Sequence, residues 1–220
     1  MNFELIFKFL KDLSKNNDRE WFEKNKPKYL AAKEEFDGFV TALLDELIKF
    51  DGSLHGLNPK KLTFRIYRDV RFSKDKRPYK TNMGASFSAA GKGMGKPGYY
   101  LHIEPGNKSF IAGGLFMPEP ETLNKIRQEI DYNGKVLTKI MSDKKFKKDF
   151  AKFWDEDKLK RAPKGYAEDH PYIDWLKLKS FITTRSLTDK EVKDKKFLKQ
   201  SAGLAKSLKP LNDFLSEAIV

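Results

Sequence analysis

Near the start of the chain, the apolar residues recur every three or four positions, which is the spacing of one helical face. The first such stripe consists of Phe3, Ile6, Phe7, Leu10 and Leu13. A second helix is predicted after Asn17, because Asn17 and Glu20 have the spacing of a capping box. A third is predicted from Pro27, a residue that favours the first helical turn, to about Phe50. The first fifty residues are therefore predicted to be helical.

The period changes to two in the middle of the chain. Apolar and polar residues alternate over 62–72, which predicts a strand. Three further short apolar runs are predicted as strands over 83–90, 98–105 and 109–116. The glycine-rich run 91–98 predicts a flexible hairpin connection between two of them. Because short connections join consecutive strands, the predicted sheet is antiparallel.

The helical period returns in the last hundred residues. A helix is predicted to open at the prolines and acids of 117–130 and to continue over 134–153. Residues 180–187 predict one more strand, and Thr188 begins a second capping box with the glutamate three positions later. The remaining residues are predicted to form a helix that is broken near Pro210.

The order of these elements predicts the fold class. Helices first, a sheet in the middle and helices last indicate a single α+β domain over residues 1–220, with no linker or internal repeat. Its central antiparallel sheet is expected to carry helices from both the N-terminal and the C-terminal segments. A chain of 220 residues can bury enough apolar surface to need neither a disulfide nor a structural metal.

The composition excludes several kinds of site. Cysteine is absent, so there is no disulfide, thiolate metal site or cysteine nucleophile. The three histidines are scattered without metal-ligand spacing, and Pro97 follows Lys96 where a phosphate-binding loop requires Ser or Thr. Glu4 lies where a secretory signal carries positive charge, and no apolar run approaches the ~20 residues of a membrane span. The sequence predicts a cytoplasmic protein without membrane partner, metal or cofactor.

Positive charge is in excess. The formal net charge is +13, and most of it comes from dispersed lysines, which are typical of a solvated surface. Arginine behaves differently, because half of all arginines lie within thirteen positions at Arg65, Arg68, Arg71 and Arg77. The planar guanidinium binds carboxylate or phosphate in a bidentate geometry that lysine does not offer. The predicted ligand-binding residues are Arg65, Arg68, Asp69, Arg71, Asp75, Lys76, Tyr79 and Lys80.

This stretch resembles the sequence motif of a conserved bacterial family of similar length. The motif is an arginine-rich string of the form RxxRDxRF, followed by DK and then by xxY. The matching positions are Arg65, Arg68, Asp69, Arg71, Phe72, Asp75, Lys76 and Tyr79. The likeness extends to NNDREWFEKNKPKY, GYYLHIEPGNKSFIAGG, PEPETLNKIRQEI and APKGYAEDHP, which together with the string span most of the chain. The family is one of unknown function. The resemblance implies a shared fold and a shared special stretch, but no reaction, cofactor or catalytic residue.

A second group of polar residues lies on one predicted strand. Tyr100, His102 and Glu104 alternate along 98–105, so they share a face. If this strand lies beside the arginines, Glu104 could neutralise one of them and His102 could act as a general acid or base. The alternative is a half-exposed strand face with ordinary polar tips. No residue is assigned a catalytic role from the sequence.

Three functions fit these patterns. A site for a small phosphorylated or carboxylated ligand, with or without a following reaction, is favoured by the arginine cluster. A nucleic-acid-binding module would use the basic surface, and its affinity would fall steeply with salt. A structural or partner-binding protein would pair its arginines internally with Asp and Glu.

Overall fold

The computed structural model of the protein describes residues 1–92 and 95–219. Over these residues the chain forms helices and one four-stranded antiparallel sheet, which confirms the α+β prediction. The helices are α1 (Phe3–Lys15), α2 (Arg19–Lys24), α3 (Lys26–Ile48), α4 (Pro120–Ser142), α5 (Lys144–Asp149), α6 (Ile173–Leu176), α7 (Asp189–Val192) and α8 (Phe197–Glu217). The strands are β1 (Met83–Ser88), β2 (Gly98–Ile103), β3 (Ser109–Leu115) and β4 (Phe181–Leu187).

The four strands follow one another in the sheet in the order β1-β2-β3-β4. The register places Gly84 opposite His102 and His102 opposite Phe110. Side chains alternate between the two faces of such a sheet. Met83, Ala85 and the other residues of their face are buried in the core, and we call this the inner face. The opposite face, which carries Gly84, His102 and Phe110, is called the outer face.

Helices from both ends of the chain cover the inner face, as predicted. Helix α8 lies on β2 and β3, and α3 contacts both β1 and α8. The buried apolar side chains form one cluster that runs from Phe3 to Leu215. None of the helices within the described residues is long and apolar enough to cross a membrane.

Two helix features differ from their prediction. Asp18, not Asn17, caps α2, because its side chain accepts a hydrogen bond from the Trp21 N–H at 2.8 Å. Helix α8 is not broken near Pro210 but runs through it. Pro210 and Lys206 are both exposed, so the Lys206 carbonyl that loses its helical N–H partner is placed to bind water instead.

The helix predicted over 134–153 is also interrupted. Helix α4 ends at Ser142, and the Asp143 side chain starts α5 by accepting hydrogen bonds from the N–H groups of Lys145 and Phe146 at 2.9 Å each. After α5 the chain is extended, and Phe153 pairs with Thr183 at the edge of β4. The predicted hairpin 91–98 connects β1 to β2, but Gly93 and Met94 lie outside the described residues.

The strand predicted over 62–72 is wrong for most of its length. Only Thr63 pairs with β1, through Ala85, and the Phe64 N–H donates to the Gly84 carbonyl at 2.9 Å. Beyond Phe64 the chain leaves the sheet, because the alternating apolar residues have no common face to bury. Ile66 is buried while Phe72 is 95% exposed. Residues 65–80 form a long hairpin loop, called here the arginine loop.

Candidate functional site

The arginine loop is closed at its base by main-chain hydrogen bonds. The Lys80 N–H donates to the Ile66 carbonyl at 2.8 Å, and the Arg68 N–H donates to the Pro78 carbonyl at 2.9 Å. These bonds bring the two ends of the loop together. Arg65 and Lys80 therefore lie close in space although fourteen positions separate them in the sequence.

Tyr79 and Asn17 attach the base of the loop to the helical part of the protein. The Tyr79 ring is buried and stacks on Phe22 of α2, with ring centroids 4.0 Å apart. The Asn17 side chain donates to the Tyr79 carbonyl and accepts from the Tyr79 N–H, each at 3.0 Å. Tyr79 is thus held by both its ring and its main chain, which fixes the position of the adjacent Lys80.

Three of the four arginines in the loop pair with acids of the same loop. Arg71 Nη2 lies 2.7 Å from Asp69 Oδ2, and Arg77 Nη2 lies 2.7 Å from Asp75 Oδ2. Arg68 Nη1 shares the same Asp75 oxygen at 2.8 Å. Hydrogen bonds from Arg71 lower the pKa of Asp69, and those from Arg77 lower the pKa of Asp75. Both carboxylates are therefore ionised at neutral pH and shape the loop.

A hollow of about 160 Å³ opens between the base of the loop and the outer face of the sheet. It is lined by Phe64, Arg65, Lys80, Asn82, Gly84 and Tyr100. Phe64 and Arg65 enter from the point where the chain leaves the sheet, and Lys80 and Asn82 enter from the segment that leads into β1. Gly84 and Tyr100 lie on neighbouring strands beneath them.

Two cations, Arg65 and Lys80, line the hollow. Besides the hydrogen bonds from Arg71 described above, the charge of Arg65 also lowers the pKa of Asp69, so this arginine is partly compensated. Within the described residues, neither Arg65 nor Lys80 makes an ion pair with a carboxylate. Burial lowers the pKa of Lys80 below its ordinary value, and the charges of Arg65 and Lys92 lower it further. The Lys80 ammonium lies 5.5 Å from the centre of the Phe64 ring. Such a cluster of like charges favours a bound anion, because an anion relieves their mutual repulsion.

Beneath the hollow, two side chains of β2 and that of Glu104, which directly follows the strand, form a chain of hydrogen bonds. The Tyr100 hydroxyl lies 3.3 Å from His102 Nδ1, and His102 Nε2 lies 3.0 Å from Glu104 Oε2. The imidazole also stacks on Phe110 of β3, with centroids 4.6 Å apart and planes within 13°. Glu104 accepts a further hydrogen bond from the Thr81 hydroxyl at 3.3 Å. Besides the hydrogen bond between them, His102 and Glu104 thus each have a further contact that holds the side chain in place.

The protonation of His102 follows from its two partners. Burial lowers the pKa of His102 below its ordinary value and outweighs the opposing hydrogen bond to Glu104, so the ring is neutral at pH 7. The Glu104 carboxylate accepts hydrogen bonds, and the single ring proton is therefore assigned to Nε2. Nδ1 is left as an acceptor, facing the Tyr100 hydroxyl and the Asn82 amide, whose nitrogen is 3.0 Å away.

Comparison with known families gives one match. A family model described as "Conserved hypothetical protein (DUF2461)" matches residues 5–214, which is nearly the whole chain. The chain belongs to the DUF2461 family. Searches of curated proteins and of solved structures find no match. The DUF2461 description assigns no activity, so the function is argued from the geometry of this member.

Of the site residues predicted from the sequence, Arg65, Lys80 and Tyr100 line the hollow in this DUF2461 protein. His102 and Glu104 lie directly behind Tyr100. The lining does not include the others, namely Arg68, Asp69, Arg71, Asp75, Lys76 and Tyr79. The Lys76 ammonium donates to the Val70 carbonyl at 3.1 Å inside the loop. Within the described residues, no group of three metal-ligating side chains is found.

Sequence reasoning missed Phe64, Asn82 and Gly84 as parts of the site. Only Gly84 carried a signal, because a glycine inside an apolar strand often marks a close approach by another group. A Cβ atom at position 84 would lie 2.5 Å from the Tyr100 hydroxyl oxygen. The absence of a side chain at Gly84 therefore makes room for that hydroxyl at the floor of the hollow.

Proposed function

We propose that the protein binds a small phosphorylated or carboxylated ligand in the hollow, with the Arg65 guanidinium and the Lys80 ammonium as the anion contacts. The observation that carries this proposal is the convergence on one concave surface of two cations that, within the described part of the chain, form no ion pair with a carboxylate. An anion placed between them would gain charge-assisted hydrogen bonds, which contribute about 1.5–3 kcal/mol each. It would also remove the repulsion that lowers the pKa of Lys80.

The size of the hollow restricts the ligand. Its volume of about 160 Å³ is below the roughly 300 Å³ at which pockets for drug-sized molecules begin. Nucleotides and other large cofactors would extend far outside it. The volume supports a ligand with one anionic group and a few further atoms.

The remaining residues of the arginine loop are assigned to its shape. Asp69 pairs with Arg71, and Asp75 pairs with Arg68 and Arg77. These pairs involve residues close in sequence and lie at the surface, where water screens the attraction and little stability is gained. We assign to them the role of keeping the loop folded back, so that Arg65 and Lys80 stay at its base.

The first test is a titration with inorganic phosphate, in which binding is measured by isothermal titration calorimetry at low ionic strength. Saturable binding to one site is expected for the unmodified protein. Lys80→Met and Arg65→Met are each expected to weaken it about tenfold or more, because each removes one charge-assisted contact worth at least about 1.4 kcal/mol.

Lys74→Met is the matched control. Lys74 is an exposed lysine of the same loop that is not part of the lining, so this variant loses the same charge without changing the hollow. Phosphate binding is expected to stay within about twofold of the unmodified protein, because exposed charges are screened. Equal weakening by Lys74→Met, or no saturable binding at all, would refute the proposal.

A second candidate function, nucleic-acid binding, is favoured by one observation at the tip of the loop. Phe72 is 95% exposed, and the Arg71 guanidinium lies 5.8 Å from its ring centre. An exposed aromatic ring with adjacent positive charge is the arrangement on which single-stranded bases stack.

Its test is the binding of a short single-stranded oligonucleotide at several salt concentrations. If this function is real, Phe72→Ala is expected to weaken binding by about 1–3 kcal/mol, the usual contribution of one stacked base. Tyr132→Ala, which removes another highly exposed ring on α4, serves as the control and is expected to change nothing. A complex insensitive to salt, or equally affected by both variants, would exclude this function.

A further inference from the structure

The hollow contains one hydroxyl that is arranged for chemistry as well as for binding. The Tyr100 hydroxyl lies at its floor, over Gly84, where a bound ligand would touch it. On its other side it faces the unprotonated Nδ1 of His102. A hydroxyl placed between a ligand and a neutral imidazole can pass a proton from one to the other.

We infer that Tyr100 is the catalytic base of the hollow, taking a proton from the bound anion while giving its own proton to His102, which Glu104 positions. This inference rests on the proposed function, because Arg65 and Lys80 must first hold the ligand. Neither His102 nor Glu104 lines the hollow itself; His102 receives the phenol proton, and Glu104 is a positioning residue. As in a hydrolase triad, a hydroxyl gives its proton to an imidazole that a carboxylate orients, but here the oxygen takes a proton from the substrate instead of attacking a carbon atom.

The step balances without a further reactant. The C–H bond of the substrate breaks, and its proton bonds to the Tyr100 oxygen as the phenol proton moves to His102 Nδ1. The electron pair of the broken bond stays on the substrate. His102 becomes an imidazolium, which the Glu104 carboxylate stabilises across the 3.0 Å hydrogen bond. Tyr100 ends as it began, and the reverse step returns the proton.

The pKa of Tyr100 explains why the imidazole is needed. Burial, with a smaller effect from Glu104, raises the pKa of Tyr100 to about 12. The hydroxyl is therefore not ionised at neutral pH and cannot act as a free phenolate. It accepts a proton only if it can release its own at the same time. The acceptor within reach is His102 Nδ1 at 3.3 Å, which must exchange its contact with the Asn82 amide nitrogen at 3.0 Å for the phenol proton.

The hollow also indicates the substrate class. The negative charge that develops on the substrate would lie beside Arg65 and Lys80, which stabilise it. A hollow of about 160 Å³ has little room for a second substrate, so activation of a hydroxyl for attack on another molecule does not fit. The fitting substrate is a small phosphorylated or carboxylated compound with an acidic C–H bond next to a carbonyl, and the reaction is its reversible deprotonation.

The test of the base uses N-acetylimidazole as probe and mass spectrometry of peptides as readout. Attack by the Tyr100 oxygen forms a C–O bond to the acetyl carbon, the C–N bond to imidazole breaks, and the phenol proton leaves through His102. Tyr100 is expected to be acetylated faster than Tyr132, whose side chain is 80% exposed. Equal or slower acetylation of Tyr100 would overturn the inference.

The pH dependence of the acetylation rate shows whether Tyr100 reacts through proton transfer to His102 or only because its hydroxyl is accessible. The titratable groups that face His102 are Tyr100 and Glu104 on its own strand, and Lys108 reaches Glu104 at 3.8 Å. β3 presents the Phe110 ring, and the segment before β1 presents the Asn82 amide. Acetylation of Tyr100 is expected to rise with pH only while His102 loses its proton, which burial shifts below the ordinary histidine range, and then to level off. Acetylation of an ordinary phenol continues to rise toward pH 10, and the same rise at Tyr100 would overturn the inference.

Two variants test the roles of the residues around the Tyr100 hydroxyl. His102→Gln can still bond to Glu104 but has no basic nitrogen, and it is expected to slow acetylation of Tyr100 about 100-fold. Gly84→Ala, which forces the hydroxyl away, is expected to slow it as well. An unchanged rate in His102→Gln would overturn the inference. Acetylation in the presence of phosphate tests the proposed function separately, because phosphate bound in the hollow would protect Tyr100. If Tyr100 is acetylated as expected but phosphate does not slow the reaction, the proposed anion site is refuted and the proton transfer through Tyr100 is not.

The substrate class is tested with pyruvate and dihydroxyacetone phosphate in D₂O. Proton NMR is expected to show exchange of their acidic C–H protons for deuterium, and Tyr100→Phe is expected to abolish it. If Tyr100 is acetylated as expected but neither probe exchanges, the assigned substrate class is overturned.

Discussion

Replacing Gly114 with alanine is expected to reduce the free energy of unfolding by about 4 kcal/mol, through backbone strain combined with a steric clash. Gly114 lies near the end of β3 with a φ angle of +115°, a conformation that alanine adopts only with strain. A Cβ atom at this position would collide with the main-chain carbonyl of Phe181 on β4. Because main-chain atoms of a paired strand cannot rotate away, the β3–β4 pairing must open.

Urea denaturation followed by circular dichroism measures this loss. The control is Gly203→Ala, because Gly203 is exposed within α8 and a methyl group added there would meet no atom within 4 Å. Alanine is the better helix former, so that variant is expected to gain up to about 1 kcal/mol. If Gly114→Ala unfolds at the same urea concentration as the unmodified protein, the positive φ at this position is wrong.

Replacing Phe22 with alanine is expected to reduce the free energy of unfolding by about 3–5 kcal/mol, which is usual for a buried phenylalanine. Its side chain is fully buried and packs against Tyr79, Tyr29 and Tyr67, at centroid distances of 4.0, 5.2 and 5.9 Å. The cavity left behind would remove the ring on which Tyr79 stacks. The base of the arginine loop would then lose its main contact with the helices.

Thermal and urea unfolding give the measurement, and Phe72→Ala is the matched control. Both variants remove a phenylalanine ring, but Phe72 is 95% exposed and its loss is expected to change stability by less than about 0.5 kcal/mol. Comparable losses in the two variants would show that Phe22 is not part of the core. At a temperature where Phe22→Ala remains folded, its phosphate affinity is expected to fall as well, because Lys80 follows Tyr79.

The regular elements could be predicted because they bury their apolar residues in a periodic way. The stripe beginning at Phe3 became α1, and the four short apolar runs became β1 to β4. The prediction over 62–72 was wrong because periodicity alone does not show whether a partner surface exists. Ile66 finds the core, whereas Phe72 projects into solvent. Pro210 was misjudged for a related reason, since burial and exposure decide what a missing hydrogen bond costs.

The candidate site could be predicted only in part. Arginine clustering selected a segment whose two ends, at Arg65 and Lys80, line the hollow, and strand alternation placed Tyr100, His102 and Glu104 on one face. The sequence could not show that Arg71 and Arg77 turn back onto acids two positions away. Nor could it show that Lys80 returns to the side of Arg65, because that proximity depends on how the loop closes.

The double hydrogen bond between Asn17 and Tyr79 has a consequence for the order of folding. It joins positions separated by 62 residues, and closing so long a loop carries an entropic cost that contacts near in sequence avoid. We therefore expect the hollow to assemble late, after the first two helices have docked. A chain emerging from the ribosome would pass through a stage that has its first helices but not yet the hollow.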